Sequence, residues 1–397
     1  MDLCFVGGGL ACLYGAFMAL KRNPGLKVIV LEKGARLGGR AHNVKFHGVE
    51  VPEGAGIGRF RKDRLLRALM KELGLETKTF VSQNQAIGFK KVEDVMAIVE
   101  RLKAAAGRYD RGRCTFGEFA RAELGGSLYR RFVASVGYSD FEKADIIDTL
   151  YHYGFDDVVS GDGVKCFVVP WNKVVRRLVA RIQEMGAKIV LGVDVKAVVS
   201  GSEVSGMRQD GSELVVKCKR VVVGVGISGL RRLFRGVDVY KHIESQCFIR
   251  VYGLLGGRGV ERFKEKINMT TLVKNELQKI IPMGGDVFMI GYADNARALS
   301  VLEKCDDLNA LSKLVEEASG VKGVVVKDVH VKYWAEGTHY YLPLAAGFKS
   351  RRAFVRAAQH PLGNGVLVIG EVVSLRYQGW TEGALESVDK GMFRAWS

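Results

Sequence analysis

Residues 2–32 read DLCFVGGGLACLYGAFMALKRNPGLKVIVLE. An apolar strand, a turn of three glycines, a helix with small residues along one side and a second apolar strand follow one another in this stretch. Gly7 permits the tight turn after the first strand, and Gly9 lets a phosphate group approach the backbone. Leu10 and Ala11 open the helix and offer free N–H groups to such a phosphate. The stretch therefore predicts the βαβ start of a domain that binds a dinucleotide.

Two positions beside this turn refine the prediction. Cys12 stands where the pattern GxGxxG has its third glycine, so we expect slightly looser packing between the helix and the first strand. Glu32 ends the second strand and is followed by Lys33. A carboxylate at that position accepts hydrogen bonds from a ribose hydroxyl and repels a 2′-phosphate. The pattern favours a dinucleotide other than NADP, and the alternative is a glycine turn that binds no ligand.

The segment Arg36-Leu37-Gly38-Gly39-Arg40 follows, and its RxGGR pattern resembles the second phosphate-binding signature of the flavin-containing amine oxidase family. In that family, backbone amides and an arginine hold the pyrophosphate of FAD. Glycine amides and a charge-assisted arginine contact suit the two phosphate charges. The resemblance implies that Arg36, Gly38, Gly39 and Arg40 bind FAD, and we expect no covalent bond to the flavin.

Three further blocks extend the resemblance from residue 2 to residue 391. They correspond to a turn near the flavin, to a strand whose valine backbone meets the adenine, and to a closing motif with a carboxylate and a helix start. A helix that begins at Thr381 would direct its amides at the flavin and stabilise negative charge on the reduced ring. The cofactor contacts that the resemblance implies in these blocks are Gly54, Ala55, Gly56, Ile57, Val195, Gly370, Glu371, Thr381 and Ala384.

The order of predicted elements gives the fold class. Helical spacing of apolar residues dominates from about 61 to 150, and strands dominate from 186 to 225. A strand over 365–369 precedes a final helix over about 381–396. The predicted internal helices are Asp63–Leu73, Val92–Ala106, Phe116–Leu124 and Ser127–Val136, and the predicted internal strands are Lys188–Leu191, Val193–Val199, Glu213–Cys218 and Arg220–Val225.

Strands of one nucleotide-binding sheet thus occur at the start, middle and end of the chain. We predict an α/β fold, namely a two-domain FAD-dependent oxidoreductase with a Rossmann-like FAD domain and an inserted α+β substrate domain. The FAD domain is predicted to be discontinuous, with the segments 1–60, 165–230 and 363–397. The substrate domain is predicted to comprise 61–164 and 231–362.

The resemblance also indicates where a substrate would bind. In the family, two aromatic rings face each other before the flavin and hold the amine between them. Trp380 stands at the first position, and Tyr341 or Tyr340 is the candidate for the second. Aromatic faces attract a cation, although such rings also fill protein cores. For His339, which precedes the tyrosines, we favour a hydrogen-bonded histidine over a histidyl–flavin bond.

One departure from the family concerns a lysine that many members place in a strand of the substrate domain, where it holds a water near the flavin. The matching strand is predicted at 245–252, with Cys247 at the lysine position and Arg250 on the opposite face. The lysine is therefore predicted to be absent. Its absence weakens the case for reoxidation by oxygen and leaves room for desaturase-like, porphyrinogen-oxidising or renalase-like relatives.

The formal net charge is +17, which predicts attraction to anions such as nucleic acid, an acidic protein, an anionic membrane or a phosphorylated ligand. Much of the excess lies between residues 59 and 131, where 17 Lys and Arg face 9 Asp and Glu. A solvated helical face is the favoured interpretation of such a run. An anionic partner that binds this basic surface is the alternative.

Cysteine usage and hydropathy suggest a compartment. Seven scattered cysteines show no CxxC spacing, which predicts a reducing compartment and no disulfide framework. We expect the cytoplasm, and the nucleus is the alternative. The sequence contains no signal peptide pattern and no apolar run that predicts a transmembrane helix. The spacing of the seven histidines predicts no metal site.

Three functions remain open at this point. The first is an FAD-dependent oxidoreductase, similar to amine oxidases, that takes a hydride from a C–N bond of a small-molecule amine, with oxygen reoxidising the flavin. The second is a related FAD-dependent oxidoreductase or desaturase that acts on a non-amine or anionic substrate. The third is a catalytically degenerate flavoprotein that binds an anionic partner. The net charge of +17 supports the second and the third, the missing lysine favours the third, and Trp380 with the tyrosine pair counts against the third.

Overall fold

A computed structural model describes residues 1–110, 112–158, 163–199 and 202–394. The strands are β1 (Leu3–Val6), β2 (Val28–Leu31), β3 (Asn43–Phe46), β4 (Val49–Pro52), β5 (Gly58–Arg59), β6 (Thr79–Ser82), β7 (Asn84–Ile87), β8 (Val164–Phe167), β9 (Lys188–Val190), β10 (Val193–Val199), β11 (Glu203–Arg208), β12 (Glu213–Lys217), β13 (Arg220–Val223), β14 (Ile243–Gly256), β15 (Thr270–Val273), β16 (Lys279–Gly284), β17 (Val287–Asp294), β18 (Val325–Tyr341) and β19 (Val366–Val368).

Thirteen α-helices lie in the described residues. They are α1 (Leu10–Arg22), α2 (Arg64–Glu72), α3 (Val95–Ala106), α4 (Phe116–Val136), α5 (Ile146–His152), α6 (Phe155–Val158), α7 (Trp171–Glu184), α8 (Ile227–Leu233), α9 (Val260–Lys266), α10 (Asn295–Leu302), α11 (Leu308–Ser319), α12 (Arg351–Gln359) and α13 (Thr381–Arg394). Short 3-10 helices occur at Asp238–His242, Gly363–Gly365 and Glu371–Val373.

Five parallel strands form the sheet that the opening sequence predicts. Their order is β19-β13-β1-β2-β9, so β1 lies in the middle. Successive residues of β1 contribute to two different cores, as strand alternation requires. Leu3 and Phe5 pack against α1, α7 and α13, whereas Cys4 and Val6 pack on the side of α8 and α12. The α/β class with a Rossmann-like sheet is confirmed, and the domain boundaries stay a prediction.

The contact between α1 and this sheet is closer than the sequence predicts. Cys12 is fully buried, and its Sγ lies 3.6 Å from Val6 O. Gly224 follows β13, and a Cβ on it would lie only 2.4 Å from that sulfur. The expectation of looser packing at Cys12 is wrong, because a glycine on the neighbouring strand provides the room that a third glycine in the turn would provide.

A second large sheet lies on the other side of the cavity described below. Its order is β18-β14-β17-β16-β15-β7, and all its pairs are antiparallel except β15 with β7. The strands β14 and β18 have 14 and 17 residues. Helices α10 and α11 pack with an apolar core on one face of this sheet. The opposite face is free to line the cavity.

Three elements differ from the predictions. The stretch predicted as mostly helical contains β6 and β7, which pair with the distant strands β8 and β15. The strand β11 forms between two predicted strands and completes a small antiparallel sheet. The helix α4 runs through both predicted helices, with a kink at Gly125, where φ is +72°. Distant pairing partners leave no local periodicity, which is why the short strands were not predicted.

The described part of the chain ends in the helix α13. The predicted final helix is observed as α13 up to Arg394, and its last two predicted residues lie outside the described part. Among the described helices, none combines the length and the apolar character that crossing a membrane requires.

Gly7 gives a direct test of the opening turn. Its φ is +107°, and a Cβ would lie 2.6 Å from Gly224 O. We expect Gly7→Ala to lower the free energy of unfolding by about 1–3 kcal/mol, because both the backbone conformation and the contact become strained. Urea unfolding measures the effect. Gly25→Ala is the matched control, since no atom lies within 4 Å of its Cβ position. Equal midpoints for the two variants would contradict the prediction.

Candidate active site

A cavity of about 1420 Å³ opens between the two large sheets. Its wall includes the glycine turn after β1, the segments that follow β13 and β19, and the inner face of the six-stranded sheet. The predicted site residues that line it are Gly7, Gly9, Leu10, Ala11, Glu32, Lys33, Gly38, Gly39, Arg40, Gly54, Ala55, Gly56, Ile57, Val195, Tyr340, Tyr341, Gly370, Glu371, Trp380, Thr381 and Ala384. Arg36 is the predicted residue that does not belong to this wall.

The glycine turn leaves the N-terminus of α1 open toward the cavity. Within the described residues no side chain caps Gly9, and a Cβ on it would meet no atom within 4 Å. Gly38 forms a bridge with Gly9 and donates its N–H to Gly8 O at 2.8 Å. Free N–H groups and the positive end of the helix dipole therefore face a space that accepts a phosphate.

The carboxylate of Glu32 lies at the end of β2 and holds the loops beside it. Its two oxygens accept hydrogen bonds from Gly8 N at 2.5 Å and from Gly34 N at 2.7 Å. Each carboxylate oxygen has a second lone pair, so Glu32 keeps acceptor capacity for a ribose hydroxyl. Lys33, the next residue, lies 3.4 Å from Asp194 in an exposed ion pair.

Arg36 shapes the RxGGR turn from outside the cavity. Its Nη1 donates to Gly39 O at 2.9 Å, and its Nη2 lies 4.0 Å from Glu53 Oε2. These contacts stabilise the turn in which Gly38 and Gly39 adopt φ values of +99° and +57°. The position favours a supporting role for Arg36.

A buried ion network joins the RxGGR turn to the C-terminal part of the chain. Glu371 is 6% exposed and accepts hydrogen bonds from Arg40 Nη2 at 2.8 Å, from Gly379 N at 2.8 Å and from His339 Nδ1. Arg40 Nη1 also donates to Gly337 O at 2.7 Å. Burial alone would raise the pKa of Glu371, but His339 and Arg40 hold that pKa well below its ordinary range. Glu371 is thus a fixed negative charge on the cavity wall.

Both ring nitrogens of His339 have partners. Besides the bond from Nδ1 to Glu371, Nε2 accepts from Ile227 N at 3.2 Å. Glu336 accepts from Ser228 N at 3.0 Å and lies 3.7 Å from Nε2. Burial lowers the pKa of His339, but the carboxylates of Glu371 and Glu336 raise it above its ordinary value. The histidine is hydrogen-bonded and connects the start of α8 to Glu371.

Trp380 forms part of the wall just before α13. The guanidinium carbon of Arg59 lies 3.7 Å from the centroid of its ring. Arg59 Nη2 donates to Asp63 Oδ1 at 2.6 Å, and both of these side chains are buried. One face of the tryptophan therefore already carries a cation, which fixes the ring in place.

The two predicted tyrosines have different surroundings. Tyr341 is 2% exposed, and its hydroxyl donates to Ser374 O at 2.8 Å. Its ring packs edge-on against Phe354 at 5.5 Å and lies 4.7 Å from the Arg351 guanidinium carbon. Tyr340 lies on the other side of β18 and is half-buried, and burial raises its pKa to about 12. The packing favours Tyr340 over Tyr341 as the ring that a ligand would reach.

The cavity face of β14 corrects the predicted alignment. Gln246, Phe248 and Arg250 line the cavity, whereas Cys247 packs against the core behind the sheet. The pairing with β18 shifts register between Gln246 and Phe248. Cys247 and Arg250 therefore lie on opposite faces, as predicted, but Arg250 faces the cavity and Cys247 does not. Gln246 Nε2 donates to Thr338 Oγ1 at 2.8 Å. Alternation along the strand separates its two faces, but it does not say which face meets the cavity.

Several polar residues of the cavity wall were missed by the sequence analysis. Asp140 accepts a hydrogen bond from the Tyr153 hydroxyl at 2.5 Å. Lys279 Nζ lies 3.2 Å from the centroid of the Tyr138 ring, and that ring lies 5.7 Å from the Tyr292 ring. Segments far apart in sequence supply these side chains, so no motif surrounds them.

Comparisons with known proteins agree with this architecture. Residues 6–73 match the family of NAD(P)-binding Rossmann-like domains. A putrescine oxidase double mutant, described as a redesign of cofactor binding, aligns with a TM-score of 0.73 and 14% identity over 98% of this chain and 97% of that chain. Cyclohexylamine oxidase from Brevibacterium oxydans aligns with a TM-score of 0.74 and 14% identity, again over 98% of this chain and 97% of that chain. A search among curated proteins gave no match. The chain has the fold of these two amine oxidases.

The buried network predicts a specific acid sensitivity. Because the pKa of Glu371 is lower in the folded chain than its ordinary value of 4.5, its stabilising contribution is complete above about pH 4.5 and is lost as the pH falls. His339, whose pKa is raised above 6.5, contributes fully below that pH and loses its contribution as the pH rises. We expect Glu371→Gln to lower the free energy of unfolding by about 3 kcal/mol at neutral pH. The remaining free energy of unfolding should then fall less steeply as the pH is lowered.

Urea unfolding at a series of pH values measures both effects. Glu303→Gln, which changes an exposed residue of the same type, is the control and should leave the profile unchanged. The role given to the network would be refuted if Glu371→Gln were as stable as the parent protein at pH 7. It would also be refuted if the two proteins lost the same free energy of unfolding as the pH is lowered.

Proposed function

We propose that this chain is an FAD-dependent oxidoreductase that removes a hydride from a carbon bonded to nitrogen, with oxygen as the final acceptor. One observation carries the proposal. A single cavity joins an open helix N-terminus, the carboxylate of Glu32 and the aromatic wall at Trp380. The fold shared with putrescine oxidase and cyclohexylamine oxidase supports the choice of an amine as the substrate class.

The residues present suit FAD. The open start of α1 and the glycines of the RxGGR turn provide N–H groups for a pyrophosphate, and Glu32 provides acceptors for a ribose. Thr381 and Ala384, in the first turn of α13, line the same cavity and suit the end of the flavin that becomes negative on reduction. We propose non-covalent binding, since His339 is 3% exposed and both its ring nitrogens are engaged.

The protein's own part in the reaction is positioning and electrostatic stabilisation. FAD, when bound, would supply a two-electron acceptor for the hydride of the substrate carbon. The nitrogen loses a proton in the same conversion, so the C–N single bond becomes a C=N bond that water then hydrolyses. Trp380 is proposed to hold the reacting amine and exclude water, with its position fixed by Arg59. Tyr340 is proposed as a second contact, and Tyr341 as a support for the wall.

We also propose a cellular compartment and a class of partner, from the cysteines and the net charge. All seven cysteines are free, which supports the proposal of a reducing compartment such as the cytoplasm. The net charge of +17 supports a proposed affinity for anionic partners in addition to the small-molecule substrate.

The test of the proposed function is anaerobic mixing of the purified protein with a panel of amines. We expect the visible absorbance of oxidised flavin to bleach, and hydrogen peroxide to form in an amount equal to the aldehyde or ketone when air is readmitted. A protein that binds no flavin after reconstitution would contradict the proposal, as would a flavoprotein that no amine reduces.

Gly9→Ala tests the phosphate cradle separately from folding. The φ of Gly9 is −72°, and its Cβ position has no neighbour within 4 Å, so alanine fits the fold. A methyl group there would occupy the space of the phosphate. We expect unchanged urea unfolding of the flavin-free protein and a flavin affinity weaker by about tenfold or more. Flavin titration followed by fluorescence measures the affinity, and equal affinities in parent and variant would contradict the cradle.

Trp380→Ala tests the proposed wall. We expect the flavin content to remain and the rate constant of anaerobic flavin reduction to fall by about tenfold, because the lost ring contacts are worth about 1–2 kcal/mol. Trp380→Phe keeps an aromatic face and should recover most of the rate. Stopped-flow absorbance gives both values. If the flavin of the alanine variant were reduced by the amine as fast as that of the parent protein, Trp380 would be a packing residue only.

A further inference from the structure

A group of rings and cations on the inner face of the six-stranded sheet has no role in the reaction as proposed so far. Tyr138, Phe248 and Tyr292 pack with ring centroids 6.2, 5.7 and 5.9 Å apart. Arg250 and Lys279 flank these rings, and all five side chains line the cavity. Together they form the cationic corner.

Arg250 is a buried cation that lacks an acidic partner. Its side chain is 6% exposed, and among the described residues no carboxylate oxygen lies within 4.0 Å of it. Nη1 donates to Pro52 O at 2.8 Å, and Nη2 lies 3.5 Å from the Tyr292 hydroxyl. A guanidinium has five N–H donors, so donors remain for a ligand. Buried charges are normally paired, and an anion in the cavity would supply the missing partner.

Lys279 is a second buried basic side chain, and it lies against one of the rings. It is 6% exposed, and its Nζ lies 3.2 Å from the centroid of the Tyr138 ring. The described residues offer this Nζ no hydrogen bond. Burial lowers the pKa of Lys279 to about 7, while Asp140 and Asp294 oppose that shift. An anion beside Nζ would therefore favour the charged ammonium.

Two carboxylates, Asp140 and Asp294, act on Lys279, and among the described residues neither lies within 4.0 Å of Arg250. Asp140 accepts the Tyr153 hydroxyl, and burial together with repulsion from Asp294 raises the pKa of Asp140 to about 7. Asp294 accepts hydrogen bonds from Ser139 N at 2.7 Å and from Gln278 Nε2 at 3.0 Å. Asp140 and Lys279 are thus each only partly charged near neutral pH. Arg250 is the cation of the corner that an anion would complete.

The wall beside the cationic corner suits the body of a ligand. Apolar side chains on β16 and β17, Ile281, Met283 and Met289, extend the cavity beside the cationic corner. A substrate body of carbon atoms would fit there, and its charged end would meet Arg250.

We propose that the natural substrate is an amine that also carries an anionic group, a carboxylate being the simplest, and that Arg250 and Lys279 bind that group. The amine part of this statement rests on the proposed oxidation. The anion site rests on the buried cations alone, so the two are tested separately.

Equilibrium binding tests the anion site without any turnover. Benzoate and its neutral analogue benzamide are titrated into the flavin-loaded protein by calorimetry. We expect benzoate to bind about tenfold more tightly than benzamide, and Arg250→Gln to remove that preference. Lys279→Gln should reduce the preference, and Arg250→Lys should retain part of it. Equal binding of the two compounds, or a preference that survives Arg250→Gln, would overturn the proposal.

Matched controls separate the site from the general basic charge. Arg262→Gln and Lys274→Gln each remove one exposed cation of the same type and should leave benzoate binding unchanged. Loss of binding in these variants as well would assign it to surface charge and overturn the site. Flavin content and thermal unfolding are measured for each variant, and Arg250→Lys supplies the test if the glutamine variant does not fold.

Turnover tests the substrate class. Butylamine, putrescine and 4-aminobutyrate have chains of four carbons that differ in their distal group, and phenethylamine and phenylalanine differ by one carboxylate. We expect 4-aminobutyrate and phenylalanine to reduce the flavin faster than the amines that lack the carboxylate, and Arg250→Gln to reverse that order. If putrescine reduced the flavin faster than 4-aminobutyrate, Asp140 would be the residue that recognises the distal group, and the proposal would be overturned. If no amine reduces the flavin, the proposed oxidation fails, while benzoate binding still decides the anion site.

Discussion

The contact between Glu371 and Arg40 is the interaction on which the site depends. It joins the RxGGR turn to the segment after β19, and through His339 it reaches β18 and the start of α8. A buried carboxylate is costly unless cations and N–H groups surround it, so each partner is needed where it stands. The network therefore fixes four separate segments around one cavity and holds a negative charge on its wall.

Burial also determines how the charges of the cavity act. Much of the net charge of +17 is carried by exposed side chains, where salt screens charges within about 8 Å. Arg250, Lys279 and Arg59 lie inside, where a low dielectric leaves their fields largely unscreened. Asp63 neutralises Arg59, whereas Arg250 has no carboxylate partner among the described residues. The difference between these two buried arginines is what distinguishes a structural cation from one that a ligand would complete.

Local sequence was most informative where a backbone constraint allowed few residue types. The turn at Gly7 was predicted because a positive φ and a close approach to another segment leave glycine as the fitting residue. The RxGGR turn was found through the family resemblance. Local sequence was least informative on β14, where alternation separates Cys247 from Arg250 but does not tell which of the two faces the cavity. It also missed Gly224, which compensates for Cys12 from a strand more than two hundred positions away.

The sequence by itself determined the βαβ start, the uncapped helix N-terminus at Gly9 and the carboxylate at Glu32, because these depend on residues close together in the chain. It also pointed to Glu371 and Trp380 through the resemblance at the C-terminus. Only the tertiary structure decided that Tyr341 is buried with its hydroxyl on Ser374, that Gln246 and not Cys247 lines the cavity, and that Lys279 and Arg250 line the same cavity. Burial and partners across strands decide what a charged or aromatic side chain does, and neither is written in local spacing.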